Sequence, residues 1–114
     1  MRVLCCGDRH WTDRQKIRER LSTLPIGTTI VHGGAAGADT LAGEVAQEFS
    51  YAVEGHPAEW SRYRRAAGPI RNQEMLDSGI DLILAFHSNL KQSRGTADMV
   101  RRGRKNNVPV EVIE

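Results

Sequence analysis

The sequence predicts a Rossmann-like α/β fold, in which a doubly wound sheet of about five mainly parallel strands carries helices on both faces. Short apolar runs that suit buried strands alternate along the chain with longer segments of helical periodicity. One such run, residues 29–32, enters a glycine cluster and leaves it as an amphipathic segment. This is the pattern of a strand, a tight turn and a helix. The length of 114 residues suits a single domain over residues 1–114.

Five strands are expected in chain order. Residues 3–6 are apolar on both faces, which favours a central parallel strand, and residues 29–32 form the second strand. Residues 52–54 predict a weak third strand near a sheet edge. Residues 80–86 give the clearest pattern, since five of the seven are Ile, Leu or Phe, and residues 109–113 close the sheet.

Four helical segments are expected between these strands. Thr12 and Gln15 have the spacing of a capping box for a first helix that ends before Pro25. The dipeptide Gly68-Pro69 is expected to interrupt the third segment. The remaining helices are predicted at residues 38–50, at 60–67 followed by 70–76, and at 95–106.

Composition limits the function classes. The chain has 16 basic and 14 acidic residues, a net charge of +2, which is too balanced to indicate nucleic-acid binding. Cys5 and Cys6 are adjacent and lack metal-ligand spacing, so we expect reduced core thiols and no metal site. No apolar run approaches membrane-spanning length. We therefore expect a cytoplasmic protein with no membrane segment and no cofactor.

A ligand is expected where the strand order reverses. In a doubly wound sheet with strand order 3-2-1-4-5, the crevice lies beyond the carboxyl ends of the first and fourth strands. Three segments rich in glycine and small polar residues fall near this edge, at residues 7–9, 33–39 and 92–96. Arg71 and Asn72 follow the Gly-Pro interruption, where a helix N-terminus beside a guanidinium would bind an anion.

Each candidate also has a structural interpretation. In the structural interpretation Asp8 and Thr12 cap the first helix and Asp39 caps the second, which is the commoner use of Asp and Thr at such positions. Core packing is the commoner use of Trp11 and Trp60. A tight turn that binds nothing is about as common as an anion site, and the arginines elsewhere suit solvated helix faces.

The motifs together resemble a known family. The segments GDRHWTD, GGAAGAD, PAEWSRYRRAAGPIRNQEML, DLILAF and SRGTAD are similar, in this order, to the YspA/YpsA-related branch of the SLOG superfamily. This is a Rossmann-like group of bacteria and their phages. Its relatives include phosphoribohydrolases that release bases from nucleotides and the DNA-processing protein DprA. The resemblance implies a nucleotide-derived ligand, for example an ADP-ribose derivative, and frequent dimers.

The resemblance also implies roles for two segments. Residues 71–75 are similar to the RKxxM segment of the phosphoribohydrolases, whose arginine is catalytic, and residues 93–98 are similar to their PGGxGTxxE loop. Asn72 replaces the lysine, and Met99 stands at the position of the final glutamate, one residue after Asp98. If the protein is an enzyme, Arg71 and Asp98 are the expected catalytic residues.

The predicted function is binding of a nucleotide or nucleotide-derived ligand in the crevice. The glycine turn would hold phosphate, Arg71 with Arg9 or Arg94 would neutralise it, and Thr96 and Asp98 would contact ribose. Trp11 or Trp60 would cover the base. The expected ligand-binding residues are Gly7, Asp8, Arg9, Gly33, Gly34, Gly37, Asp39, Arg71, Asn72, Ser93, Gly95, Thr96 and Asp98.

Three other functions stay open at this point. The first is a nucleoside-monophosphate N-glycosidase, which would release free base. The second is DprA-like binding of single-stranded DNA, which needs a basic groove with exposed aromatic residues and which the modest charge disfavours. The third is a scaffold without a ligand. A homodimer through residues 60–75 is expected in addition, since pairing adds buried surface to a small domain.

Overall fold

A computed structural model describes residues 1–114 and contains one five-stranded parallel sheet. The strand order is β3-β2-β1-β4-β5, so the predicted Rossmann-like fold and the predicted strand order are confirmed. The third strand lies at an edge, as expected. The strands are β1 (Arg2–Gly7), β2 (Thr29–His32), β3 (Ala52–Gly55), β4 (Leu82–Phe86) and β5 (Val110–Ile113).

Helices cover both faces of the sheet. The central strand β1 alternates its side chains, so that Val3 and Cys5 face one core and Leu4 and Cys6 face the other. The first core is completed by α1 and α2, and the second by α4 and α5. The helices are α1 (Arg14–Leu21), α2 (Ala38–Glu48), α3 (Trp60–Tyr63), α4 (Ala67–Asp77) and α5 (Gly95–Lys105), with 3-10 turns at Arg64–Ala66 and Leu90–Gln92.

Two further observations concern the cysteines and the length and hydropathy of the helices. Cys5 and Cys6 are both free and buried, and burial raises the pKa of both thiols. No helix combines the length and hydropathy that a membrane crossing requires.

The predicted capping box of the first helix is wrong. Asp13, not Thr12, is the N-cap of α1, and its Oδ1 accepts a hydrogen bond of 3.1 Å from the backbone N–H of Lys16. Gln15 instead donates to Glu19 one turn further along the helix. A carboxylate is at least as good a cap as a hydroxyl, so the helix begins one residue later than the Thr12 pattern indicates.

The predicted interruption at Gly68-Pro69 is also wrong. Helix α4 begins at Ala67, and Pro69 is its third residue, where a missing N–H removes no helical hydrogen bond. The chain bends earlier, at Arg64, whose φ of 52° lies in the left-handed region. Arg71 therefore lies more than one turn inside α4 rather than at a helix N-terminus.

Candidate functional site

A cleft of about 680 Å³ opens at the carboxyl ends of β1 and β4, where the strand order reverses. The loops that follow these two strands form nearly all of it, and Ala35 is the single residue of the glycine turn that reaches it. Ala35 is also its one hydrophobic residue. The lining residues are Gly7, Asp8, Arg9, His10, Ala35, His87, Ser88, Asn89, Gln92, Ser93, Arg94, Gly95 and Thr96.

The loop after β1 is held by the Asp8 backbone and side chain. The Asp8 N–H donates to the carbonyl of Phe86 at 2.9 Å, and the Asp8 carbonyl accepts from the N–H groups of Trp11 and Ala38. Its carboxylate Oδ1 accepts from the N–H of His10 at 2.9 Å, so Asp8 shapes its own loop and does not cap α1. The other carboxylate oxygen, Oδ2, has no partner in the protein.

The predicted glycines are required for different structural reasons, either close packing or a positive φ. A Cβ at Gly7 would overlap the Phe86 carbonyl, and a Cβ at Gly33 would overlap the Arg71 guanidinium. Gly37 has a φ of 72°, and a Cβ there would overlap the backbone of Asp8 and Arg9. Gly34 has a φ of 75° but open space around its Cα, so only its backbone conformation favours glycine there.

The N–H groups of the glycine turn already have acceptors within the protein. Asp39 Oδ2 accepts from the N–H of Gly33 at 2.9 Å and from that of Ala35 at 3.4 Å. The N–H of Gly34 donates to Nδ1 of His32 at 2.9 Å. Asp39 thus takes the place that a bound anion would occupy in this turn, and it does not cap α2, whose N-cap is Gly37.

Burial sets the protonation of Asp39. Desolvation raises the pKa of this carboxyl to about 6, against the opposing effect of the hydrogen bonds from Gly33 and Ala35 and the charge of Arg71. The folded protein therefore binds this proton more tightly than the unfolded chain. This tighter binding of the proton stabilises the fold. The stabilisation is fully present below pH 3.8, the ordinary pKa of the carboxyl, and is lost as the pH rises through about 6.

We expect Asp39→Asn to remove this pH dependence. A shift of about two pKa units corresponds to about 3 kcal/mol of unfolding free energy, lost between roughly pH 4 and pH 7. Urea denaturation at several pH values would measure it, with Asp77→Asn, an exposed carboxylate on α4, as the control. The difference between the parent and Asp39→Asn proteins should change by this amount over the range, whereas a constant difference would contradict the assignment.

Arg71 reaches the glycine turn from α4 but does not line the cleft. Its Nη1 donates to the Gly33 carbonyl at 2.6 Å, and its Nε donates to Asn72 Oδ1 at 3.1 Å. Asn72 is buried and donates to Asp98 Oδ2 at 2.9 Å. The two residues therefore connect the glycine turn to the start of α5 from behind the cleft.

Asp98 has no free carboxylate oxygen. Oδ1 accepts from Arg101 at 2.7 Å, and Oδ2 accepts from Asn72 at 2.9 Å and from Arg102 at 2.8 Å. Burial raises the pKa of Asp98, but the hydrogen bonds from Asn72 and Arg102 outweigh it, so the pKa lies below its ordinary value. The carboxylate joins α4 to α5 and does not line the cleft, which leaves its predicted ribose contact and catalytic role without support.

We expect Asp98→Ala to destabilise the fold without weakening a ligand in the cleft. The change leaves Asn72 and Arg102 without their acceptor, and the loss of charged hydrogen bonds should cost about 2 to 3 kcal/mol. Asp77→Ala, which removes an exposed carboxylate at the end of α4, is the control. Denaturation and calorimetric titration would measure the two effects, and unchanged stability with lost affinity would restore the ribose role.

Neither tryptophan lines the cleft. The Trp11 ring packs against Phe86 with centroids 5.8 Å apart, and its Nε1 donates to the Asp13 carbonyl. Trp60 lies on α3 and is 59% exposed. Trp11 therefore packs in the core, as the structural interpretation expects. No contact supports the prediction that either tryptophan stacks on a base.

Four lining residues lie outside the segments predicted from the sequence. His87 is buried, and its Nδ1 accepts from the N–H of Asn89 at 2.9 Å. The neutral ring therefore carries its proton on Nε2. Only His10 belongs to a quoted motif, GDRHWTD, and the position of the four in the loops after β1 and β4 is the signal that could have identified them. They are His10, His87, Ser88 and Asn89.

A second depression, of about 400 Å³, lies on the surface of α4 and α5, away from the strand ends. Its arginines, Arg101 and Arg102, are both paired with Asp98. Their charge is thus partly neutralised, which makes this surface less suited to an anion than the cleft.

The fold and the cleft define a Rossmann-like protein with a polar site at the switch point of its sheet. A family model described as the YspA, cpYpsA-related SLOG family matches residues 1–63. The Gene 61 protein of Mycobacterium phage D29 is 38% identical over 118 residues, which cover 96% of this chain and 93% of that protein. The chain belongs to the YspA, cpYpsA-related SLOG family, and the resemblance inferred from its motifs is confirmed.

Proposed function

We propose that the protein binds a phosphorylated, nucleotide-derived ligand in the cleft at the ends of β1 and β4. The observation that carries the proposal is the pair of arginines on its two loops. Arg9 follows β1 and Arg94 precedes α5, and both are exposed, line the cleft and lack an ion-pair partner. Their guanidinium groups are free to bind phosphate oxygens, for which their planar geometry is well suited.

The start of α5 supports the same assignment. Gly95 and Thr96, the first residues of this 11-residue helix, line the cleft. The positive end of the helix dipole therefore faces the ligand and favours a negative charge there. The volume of about 680 Å³ also lies within the range of small-molecule sites.

The alternatives receive less support. Hydrolysis of an N-glycosidic bond needs a carboxylate near the sugar, and Asp8 is the one carboxylate that lines the cleft. A glycosidase would therefore use Asp8 rather than Asp98, and it would release free base. Binding of single-stranded DNA is disfavoured because the cleft has no Phe, Tyr or Trp side chain on which successive bases would stack.

A thermal-shift screen against nucleotides, cyclic nucleotides and ADP-ribose derivatives tests the proposal. A ligand at 100 times its Kd should add about 2.7 kcal/mol to the stability, which raises the Tm by several degrees. A stabilising compound that contains phosphate would support the proposal. The absence of any shift at millimolar concentrations would contradict it.

We also propose a homodimer through the segment from α3 to α4. Trp60 is 59% exposed, and the segment has exposed arginines within residues 62–65 and exposed carboxylates at Glu74 and Asp77. Two copies packed antiparallel about a two-fold axis would place each basic end against an acidic end. Light scattering should show the dimer mass and Trp60→Ser should shift it to the monomer, whereas a monomer at high micromolar concentration would contradict the proposal.

A further inference from the structure

We infer that the cleft recognises the phosphorylated sugar of its ligand and leaves the base unrecognised. The ligand class is then a pentose phosphate, and a base attached to it contributes little to affinity. This inference rests on the proposed function, since it assumes that the cleft is the binding site.

The lining of the cleft is unsuited to a nucleobase. Among its thirteen residues one is hydrophobic, Ala35, none is Phe, Tyr or Trp, and the only rings are the imidazoles of His10 and His87. Sites that hold an aromatic ring usually surround it with apolar side chains or stack it on an aromatic one, and each stacked base contributes about 1 to 3 kcal/mol. The Trp11 ring is packed on Phe86, and Trp60 lies outside the cleft, so neither large indole ring is available for this contact.

The same lining is suited to a sugar that carries phosphate. Asp8 Oδ2 has no partner in the protein and faces a cleft that contains no other carboxylate. A carboxylate accepts hydrogen bonds from two neighbouring hydroxyl groups, as acidic residues do with the ribose of dinucleotides. His87, with its proton on Nε2, and the amide of Gln92 add further polar groups.

The charges place the phosphate and the sugar in the same cleft. Arg9 and Arg94 provide two unpaired positive charges, while Asp8 provides a single negative charge. A ligand with phosphate at one end and hydroxyl groups at the other matches this distribution. A neutral nucleoside provides hydroxyl groups for Asp8 but no phosphate for the two arginines. An uncharged base provides neither hydroxyl groups nor phosphate.

Calorimetric titration with ribose 5-phosphate, AMP, CMP and adenosine tests the inference. We expect the Kd values of the three phosphorylated compounds to agree within tenfold and adenosine to bind at least tenfold more weakly than AMP. An AMP affinity more than tenfold above that of ribose 5-phosphate or CMP would overturn the inference while leaving the proposed function intact. Adenosine that binds as well as AMP would overturn it too. If no phosphorylated compound bound at millimolar concentration, the proposed function itself would fail.

The Asp8→Asn variant provides a second test. Asparagine keeps an oxygen that can accept from the His10 N–H, so the loop should persist, and the Tm checks that it does. We expect the affinity for ribose 5-phosphate and AMP to fall by the same factor, about tenfold or more, while that for inorganic phosphate does not fall. An unchanged affinity for ribose 5-phosphate would show that Asp8 does not hold the sugar.

Discussion

Replacing Gly37 with alanine is expected to lower the free energy of unfolding by about 3 to 5 kcal/mol. The φ of 72° strains any residue with a Cβ, at about 1 to 2 kcal/mol. The Cβ would also overlap the backbone of Asp8 and Arg9, and such overpacking typically costs another 1 to 3 kcal/mol. Because the loop after β1 would have to move, the cleft should change shape as well.

Gly34→Ala is the matched control for this change. Gly34 has nearly the same φ, 75°, but nothing lies within 4 Å of a Cβ built there. The control should therefore lose only about 1 to 2 kcal/mol, which is the strain alone. Urea denaturation of both variants would measure the difference, and equal losses would show that close packing at Gly37 contributes nothing.

Removal of both unpaired arginines is expected to weaken binding of a phosphorylated ligand by at least about 100-fold. Each charged hydrogen bond to phosphate contributes about 1.5 to 3 kcal/mol, so Arg9→Ala with Arg94→Ala should cost about 3 kcal/mol or more. Both side chains are exposed and make no ion pair, so the Tm should hardly change.

Arg104→Ala is the control for the general effect of removing a positive charge from the protein. Arg104 is also exposed and without an ion-pair partner, but it lies near the far end of α5. Its removal should change the affinity by less than about threefold, because at that distance salt screens most of its effect. If this control weakened binding as much as the double variant does, overall charge rather than the cleft would hold the ligand.

The sheet was predictable because its strands depend on local hydrophobic pattern. Residues in β1 and β4 are apolar on both faces, and such runs have few alternatives to a buried parallel strand. The order of the strands and the position of the cleft followed from general rules for doubly wound sheets. Asp8, Arg9 and Thr96, which line the cleft, were predicted in this way, from their place in the segments that follow β1 and β4.

The direction of individual side chains was not predictable. The sequence places Asp39 and Asp98 near the cleft, but the fold turns one onto the glycine turn and the other onto α4. The donors to these carboxylates are the Gly33 N–H and the Asn72 side-chain amide, and both contacts depend on how the segments meet in the folded protein. Pro69 was also not predictable, because the sequence does not show whether a proline ends one helix or lies in the first turn of the next.

The location of the ligand is the central claim, and amide chemical-shift mapping tests it most directly. The isotope-labelled protein would be titrated with AMP and its backbone N–H signals followed. We predict the largest shifts at residues 7–10 and 87–96, which follow β1 and β4 and line the cleft. Shifts confined to residues 60–66, or to the α4–α5 surface around Arg101, would contradict the account.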